Sequence, residues 1–180
     1  MGSFFPPAGE VPVIETARLR LRGHRAADLD DCAGMWGDPA VTRYISGSPS
    51  MREDVWARML RYAGHWAWLG YGFWAIEERA TGRFAGEAGF GDFRRDIEPA
   101  LDGIPEAGWV LAPWAHGRGF ATEAVRGALA WGEARFGKRR TACLIHPENL
   151  ASVRVAEKCG YREWTASNYR GHPVLVFARE

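Results

Sequence analysis

The sequence predicts a mixed α/β fold: one largely antiparallel sheet with a single parallel crossover. Three observations predict it. Helical periodicity fills 28–36 and 52–68, a hairpin pattern surrounds Ala80-Thr81-Gly82, and one strand–helix–strand unit spans 107–145. That last unit is the one clear parallel crossover, and it should be right-handed. At 180 residues the chain can bury a core of its own without disulfide or metal staples.

Residues 1–13, with Pro6, Pro7 and Pro12, read as an extended N-terminal arm, and 14–180 as a single domain. Arg18-Leu19-Arg20-Leu21-Arg22 alternates polar and apolar residues, the mark of a half-buried strand. The helix at 28–36 stops at Gly37-Asp38-Pro39, and the Ser/Gly/Pro turn at 46–50 precedes the helix at 52–68. Strands at 72–78 and 83–93 flank the Gly82 turn, and 96–105 is a polar loop. An apolar strand at 107–112, a helix at 122–136 and a buried strand at 141–145 follow. A helix at 150–159 ends with Gly160 at the residue after its cap, and strands at 161–164 and 174–178 finish the sheet.

Composition excludes several classes. The formal net charge of +1 gives no general attraction to nucleic acid or to anionic membrane, so any anion must be held locally. No apolar run reaches the roughly 18 residues of a membrane span. MGSFFPPAGEVP lacks the regions of a signal peptide, and Pro6 stands where myristoylation wants Ser or Thr. Cys32, Cys143 and Cys159 form no CxxC pair and no HExxH occurs, which predicts a reduced, cytoplasmic, metal-free chain. His65, His146 and His172 are isolated and read as surface or hydrogen-bonded histidines.

The stretch LAPWAHGRGFATEA, 111–124, places Gly117-Arg118-Gly119 at the join of a strand and a helix. There the first helical amides lack intrahelical partners and carry partial positive charge, and small residues let a phosphate approach them. The bland alternative is a tight turn into a helix. No third glycine completes GxGxxG. The near phosphate-loop match from Gly132 to Lys138 lacks its Ser/Thr and lies at a helix end, which disfavours ATP.

Several ordered segments add to this: ETARLRLR, ATGRFAGEAGF, WVLAP, His116-Gly117-Arg118-Gly119-Phe120-Ala121, then Asn149 and NLASVRVAEKCGY with Gly160-Tyr161. Together, over 14–180, they resemble the GNAT family of acyl-CoA-dependent N-acyltransferases, in particular its ribosomal-protein N-terminal (alanine/serine) acetyltransferase branch. The resemblance implies the GNAT acyl-CoA N-acyltransferase fold, with a parallel central splay between the fourth and fifth strands. It implies acetyl-CoA as co-substrate, its pantetheine arm pairing with backbone of Trp109, Val110 and Leu111. Amides from Gly117 through Arg118, Gly119, Phe120 and Ala121 to Thr122 would hold the diphosphate. His116 replaces the usual Gln or Arg, which leaves a side-chain contact there in doubt. Arg118 would add charge or remain a solvated arginine, and Asn149 would bond the cofactor or simply cap its helix.

The implied reaction is transfer of an acetyl group to a primary amine, of a protein N-terminus or a small molecule, by direct attack. The attacking amine must be neutral, and an α-amine near pKa ~7.7–8.0 loses its proton far more readily than lysine near ~10.4. Glu106 is the candidate base with Glu87 its rival, and each has a purely structural alternative. Relatives often place a Tyr seven residues after the Asn to protonate the departing thiolate, whereas this chain has Ala156. Ser152 is the candidate donor in its stead, or a helix-start cap. Trp66, Trp68, Trp74 and Trp109 line an acceptor cleft or fill the core. Asp96, Glu98 and Asp102 would attract a cationic acceptor. A homodimer through an exposed C-terminal edge strand is compatible with the pattern. The alternative function is an acyl-CoA-binding sensor or partner-binding domain of the same fold without turnover.

Overall fold

The structure, a computed structural model, describes residues 11–180. These form an eight-stranded sheet in the order β1-β2-β3-β4-β5-β6-β8-β7. The strands are β1 (Ile14–Glu15), β2 (Leu19–Arg22), β3 (Phe73–Glu78), β4 (Phe84–Gly91), β5 (Glu106–Leu111), β6 (Thr141–Ile145), β7 (Arg162–Tyr169) and β8 (His172–Arg179). Every neighbouring pair is antiparallel except β5 and β6. Of the expected arm, 1–10 lie outside the described residues. Residues 11–13 do not swing free: Val11 packs on the core and the Pro12 carbonyl accepts from Trp74 Nε1 at 2.8 Å.

Five helices cover the sheet: α1 (Leu29–Trp36), α2 (Pro39–Thr42), α3 (Arg52–Leu69), α4 (Phe120–Phe136) and α5 (Leu150–Lys158). The α2 helix is a departure from expectation. Asp38-Pro39 ends α1 as predicted, but Asp38 Oδ1 then caps Ala40 N at 2.8 Å with Pro39 at the first helical position, so the same residues start a new turn. Gly70, at φ 71°, closes α3, and Gly160, at φ 87°, follows α5, where Tyr161 N reaches back to the Ala156 carbonyl at 3.0 Å.

The α4 face buries Trp74, Ile76, Ala88, Phe90 and Ala107 against Phe120, Ala124 and Leu129. On the other face α1 and α3 cover Ala75, Phe84 and Ala112 with Cys32, Trp36, Val55 and Met59. Both last strands run longer than predicted. The added residues of β7, Thr165 to Tyr169, are mostly polar because β7 is an exposed edge, and a Tyr169-Arg170-Gly171-His172 turn, with φ 52° at Arg170 and 82° at Gly171, joins it to β8.

One feature of the sheet positions the site. The only paired register between β5 and β6 is Glu106 with Ala142, where Ala142 N donates to the Pro105 carbonyl at 3.1 Å. Beyond it the strands part, leaving a wedge open toward their C-terminal ends. This is the splay expected between the fourth and fifth strands, displaced by one because the two-residue β1 was not foreseen. Cys32, Cys143 and Cys159 are free thiols, all buried, and among the described residues no helix is long and apolar enough to cross a membrane.

Candidate functional site

After β5 the chain makes a short 3-10 turn at Pro113–Ala115 and enters α4 through two left-handed glycines, Gly117 at φ 72° and Gly119 at φ 77°. Glycine is required there by backbone conformation rather than crowding. A Cβ on Gly117 would meet nothing within 4 Å, and one on Gly119 only Arg18 Nη2 at 3.5 Å, so the space outside the loop is open. Among the described residues, the amides of 117–122 donate to no protein acceptor; the first bonded one is Glu123 N, to the Gly119 carbonyl at 3.1 Å. Six unpaired amides thus lie at the positive end of a 17-residue helix.

Arg18, read from sequence only as a strand residue, organises this loop. Its Nη1 donates to the Arg118 carbonyl at 2.8 Å. Because a trans peptide sets its N–H opposite its C=O, fixing that carbonyl aims the Gly119 amide outward. Glu123 holds Arg18 in turn, accepting from its Nε at 2.7 Å, its backbone N at 2.8 Å and Thr16 Oγ1 at 2.6 Å. Burial would raise the Glu123 pKa, but these bonds from Thr16 and Arg18 outweigh it and keep the carboxyl below its ordinary range. Arg118 pairs with Glu78 at 2.7 Å, and the two guanidiniums lie 4.8 Å (Arg18) and 4.5 Å (Arg118) from the Phe120 ring centroid.

The edge of β5 facing the wedge follows from register. The Pro105 carbonyl points to β6 and Ala112 N points to Ala85 of β4, so alternation turns the backbone of Trp109 and Leu111 toward the wedge. Val110, opposite Glu87, turns its backbone to β4. Of the three residues expected to pair with a cofactor arm, Val110 therefore does not face it. His116 does not reach outward either: its Nε2 donates to the Leu111 carbonyl at 2.8 Å and closes the loop onto the strand end.

Across the wedge, Asn149 caps α5, its Oδ1 accepting from Ser152 N at 3.2 Å. Ser152 Oγ makes no hydrogen bond among the described residues, and it sits half-buried in the first turn after β6. Ala156 is fully buried in the core. Tyr161 is no replacement acid: it is buried, its hydroxyl bonded to Thr141 Oγ1 at 2.8 Å, and burial pushes its pKa up.

Neither candidate base is free. Arg95 grips both oxygens of Glu106, Nε at 2.6 Å and Nη2 at 2.7 Å. Glu87 is fully buried and bonded to Trp36 Nε1 at 2.9 Å, His24 Nε2 at 2.9 Å and Cys32 Sγ at 3.4 Å. Burial alone would raise its pKa; the His24 and Trp36 bonds outweigh it and hold it ionised. His24, Cys32 and Glu87 bring ligand atoms within 4.8 Å of one another. Burial and the Glu87 carboxylate keep the Cys32 thiol protonated, and the carboxylate is already engaged, so the group reads as a closed polar network.

Trp74 is core, Trp66 and Trp109 pack half-buried against the same cluster, and Trp68 is largely exposed. The Tyr44 and His146 rings meet at 5.3 Å, joining the loop after α2 to the end of β6 across the wedge mouth. Asp96, Glu98 and Asp102 are exposed on their loop, with Asp102 3.8 Å from Arg94. The arginines of α3 escaped the sequence reading, although Arg58, Arg61 and Tyr62 recur at helical spacing beside the buried Val55 and Met59.

Residues 18–162 match the acetyltransferase (GNAT) domain family. The chain is 34% identical over 173 residues to the uncharacterized protein YkkB of Bacillus subtilis (strain 168), covering 93% of this chain and 95% of that one. A solved structure from Bordetella pertussis described as a GnaT-family acetyltransferase superposes with TM-score 0.83 at 31% identity, over 94% of this chain and 99% of that one. The ribosomal L7/L12 α-N-protein acetyltransferase RimL, solved in complex with coenzyme A, superposes with TM-score 0.76 at 18% identity, covering 93% and 97%, a likeness of fold.

Proposed function

The chain belongs to the GNAT acetyltransferase family, and from that premise we propose that it moves the acetyl group of acetyl-CoA to a primary amine by direct attack. The observation that carries the reading is the row of unpaired amides at 117–122 beside the β5–β6 wedge. The amides and flanking Arg18 and Arg118 hold the diphosphate, and the pantetheine arm enters the wedge as a pseudo-strand against Trp109 and Leu111. The Trp109 N–H, deeper than Leu111, meets the thioester oxygen. A pre-aimed donor there is worth about 10²–10³ in rate. The fold-neighbour RimL, which carries coenzyme A, supports the choice of cofactor.

In the step itself the neutral amine attacks the thioester carbon, the C–N bond forms and the C–S bond breaks. Nitrogen sheds one proton to solvent, and the thiolate gains one. Ser152, half-buried in the first turn of α5 after β6, is the donor we assign to the departing sulfur. Ser152→Ala is expected to lower kcat about a hundredfold, the ordinary scale of proton-donor catalysis, at unchanged KM for acetyl-CoA. An unaltered kcat removes Ser152 from the mechanism. Arg18→Gln is expected to raise the acetyl-CoA KM about tenfold, as loss of a charge-assisted hydrogen bond would, with kcat little changed. Steady-state kinetics varying acetyl-CoA checks both.

Incubation with acetyl-CoA and a panel of amines, following free thiol, tests the function. Amine-dependent thiol release is expected. A second reading, an acyl-CoA sensor without turnover, draws on the buried Ala156 and the sequestered Glu106. CoA binding with no thiol release from any amine would favour it. The buried free thiols suit a reducing, cytoplasmic setting, and edge strand β7 offers a second copy a surface to pair with.

A further inference from the structure

Beneath α3, two of its guanidinium groups, those of Arg58 and Arg61, form no ion pair among the described residues. Along β5 the residues facing this side are Glu106, Gly108 and Val110: Glu106 meets Arg95, a Cβ on Gly108 would lie 2.7 Å from Phe73 Cζ, and Val110 packs with the α1 cluster. Arg58 lies over the Trp36 ring, Cζ 3.8 Å from its centroid, next to the Tyr62 hydroxyl and within the field of Glu87, the cross-strand neighbour of Val110. Arg61, one turn on, lies 5.3 Å from the Phe93 ring, which Arg95 approaches at 4.8 Å while gripping Glu106. The two α3 arginines therefore lie over the sheet face that Glu106, Gly108 and Val110 of β5 share, Arg58 toward the Glu87–Val110 level and Arg61 toward Glu106.

Glu87 acts on Arg58 and Glu106 on Arg61 from further off. Arg95 is neutralised by Glu106, whereas among the described residues neither Arg58 nor Arg61 joins an ion pair. Arg58 Nε is buried without a hydrogen-bond partner. A buried donor left unmade is costly, and a planar guanidinium fork is matched by a carboxylate. Desolvation of its charged end, then the Arg58 charge, lower the Arg61 pKa even though the residue as a whole stays exposed.

We infer that Arg58 and Arg61 hold the carboxylate of the acceptor, which makes the acceptor an amino-acid-like molecule with its carboxylate a few bonds from the primary amine, not a polyamine. This rests on the acetyl-transfer reading above. Cations beside the bound amine also disfavour its ammonium form, which supplies the neutral nucleophile although Arg95 sequesters Glu106. The products are the N-acetyl amino acid and the free CoA thiol, one proton leaving nitrogen and one joining sulfur.

The test is acceptor kinetics on matched pairs, each common amino acid against its carboxamide, with spermidine as the carboxylate-free control. At least one amino acid is expected to exceed its carboxamide and spermidine in kcat/KM about a hundredfold. Arg61→Gln, at an exposed position, should raise the KM for that amino acid at least tenfold while sparing the acetyl-CoA KM and the carboxamide rate. Carboxamides or spermidine used equally well, an unchanged preference in Arg61→Gln, or acetyl-CoA binding with no carboxylate-bearing amine accepted would each overturn the inference. Failure of the wild-type protein to bind acetyl-CoA would remove the transfer reading and this inference with it.

Discussion

Gly119→Glu is expected to abolish stabilisation by CoA while leaving a folded protein. Gly119 caps α4 at φ 77°, so any side chain there adds left-handed strain of about 1–2 kcal/mol. For a chain of this length that lowers Tm by only a few degrees, at about 2–4 °C per kcal/mol. Folding is helped by space: the new Cβ meets nothing nearer than Arg18 Nη2 at 3.5 Å. Binding fares differently. A carboxylate set among the amides of 117–122 takes the place of the diphosphate and repels it, and it draws Arg18 off the Arg118 carbonyl. The expected loss is at least a hundredfold in CoA affinity, about 2.8 kcal/mol. Thermal shift with and without CoA reads it, and an undiminished shift would remove the proposed cofactor site.

Glu87→Leu should cause a large loss of stability. Glu87 has no exposed surface, and its carboxylate takes the Trp36 indole N–H and pairs with His24, both at 2.9 Å. Leucine is of similar bulk but leaves those groups buried without an acceptor, and removing one partner of such a network costs about 3–5 kcal/mol. A fall in Tm of roughly 10 °C follows. The same carboxylate sets an acid limit. Its folded pKa lies below the ordinary 4.5, so its contribution is complete above that pH and is lost as pH falls through the lower folded value. The gap in urea stability between wild type and Glu87→Leu should therefore be full above pH 4.5 and narrow as pH falls below it; a constant gap at all pH values would contradict a buried ionised Glu87.

How much of this was legible in the sequence depends on how local each feature is. The crossover unit was legible because the α4 periodicity and the apolar β6 run need only neighbouring residues. The glycine pair was legible because a left-handed backbone selects glycine residue by residue. The α2 helix was not, since Asp38-Pro39 both stops and starts helices. Nor was the full length of β7, where polar edge residues mask the apolar alternation, or of β8, whose ends are His172, Pro173 and Arg179. Whether Trp109 or Val110 faces the wedge is fixed by β4–β5 register, which one strand alone cannot reveal. Arg18 meets a carbonyl 100 residues away, and Glu106 is captured by an arginine from a loop 11 residues earlier. A carboxylate at the head of a strand looks like a base until its partner is placed.

The most direct measurement is a crystal structure of the protein with CoA. Diphosphate oxygens should lie within hydrogen-bonding reach of the 117–122 amides, with the arm between β5 and β6 alongside Trp109. A diphosphate bound elsewhere, such as between Arg58 and Arg61, with those amides facing only water, would contradict the account.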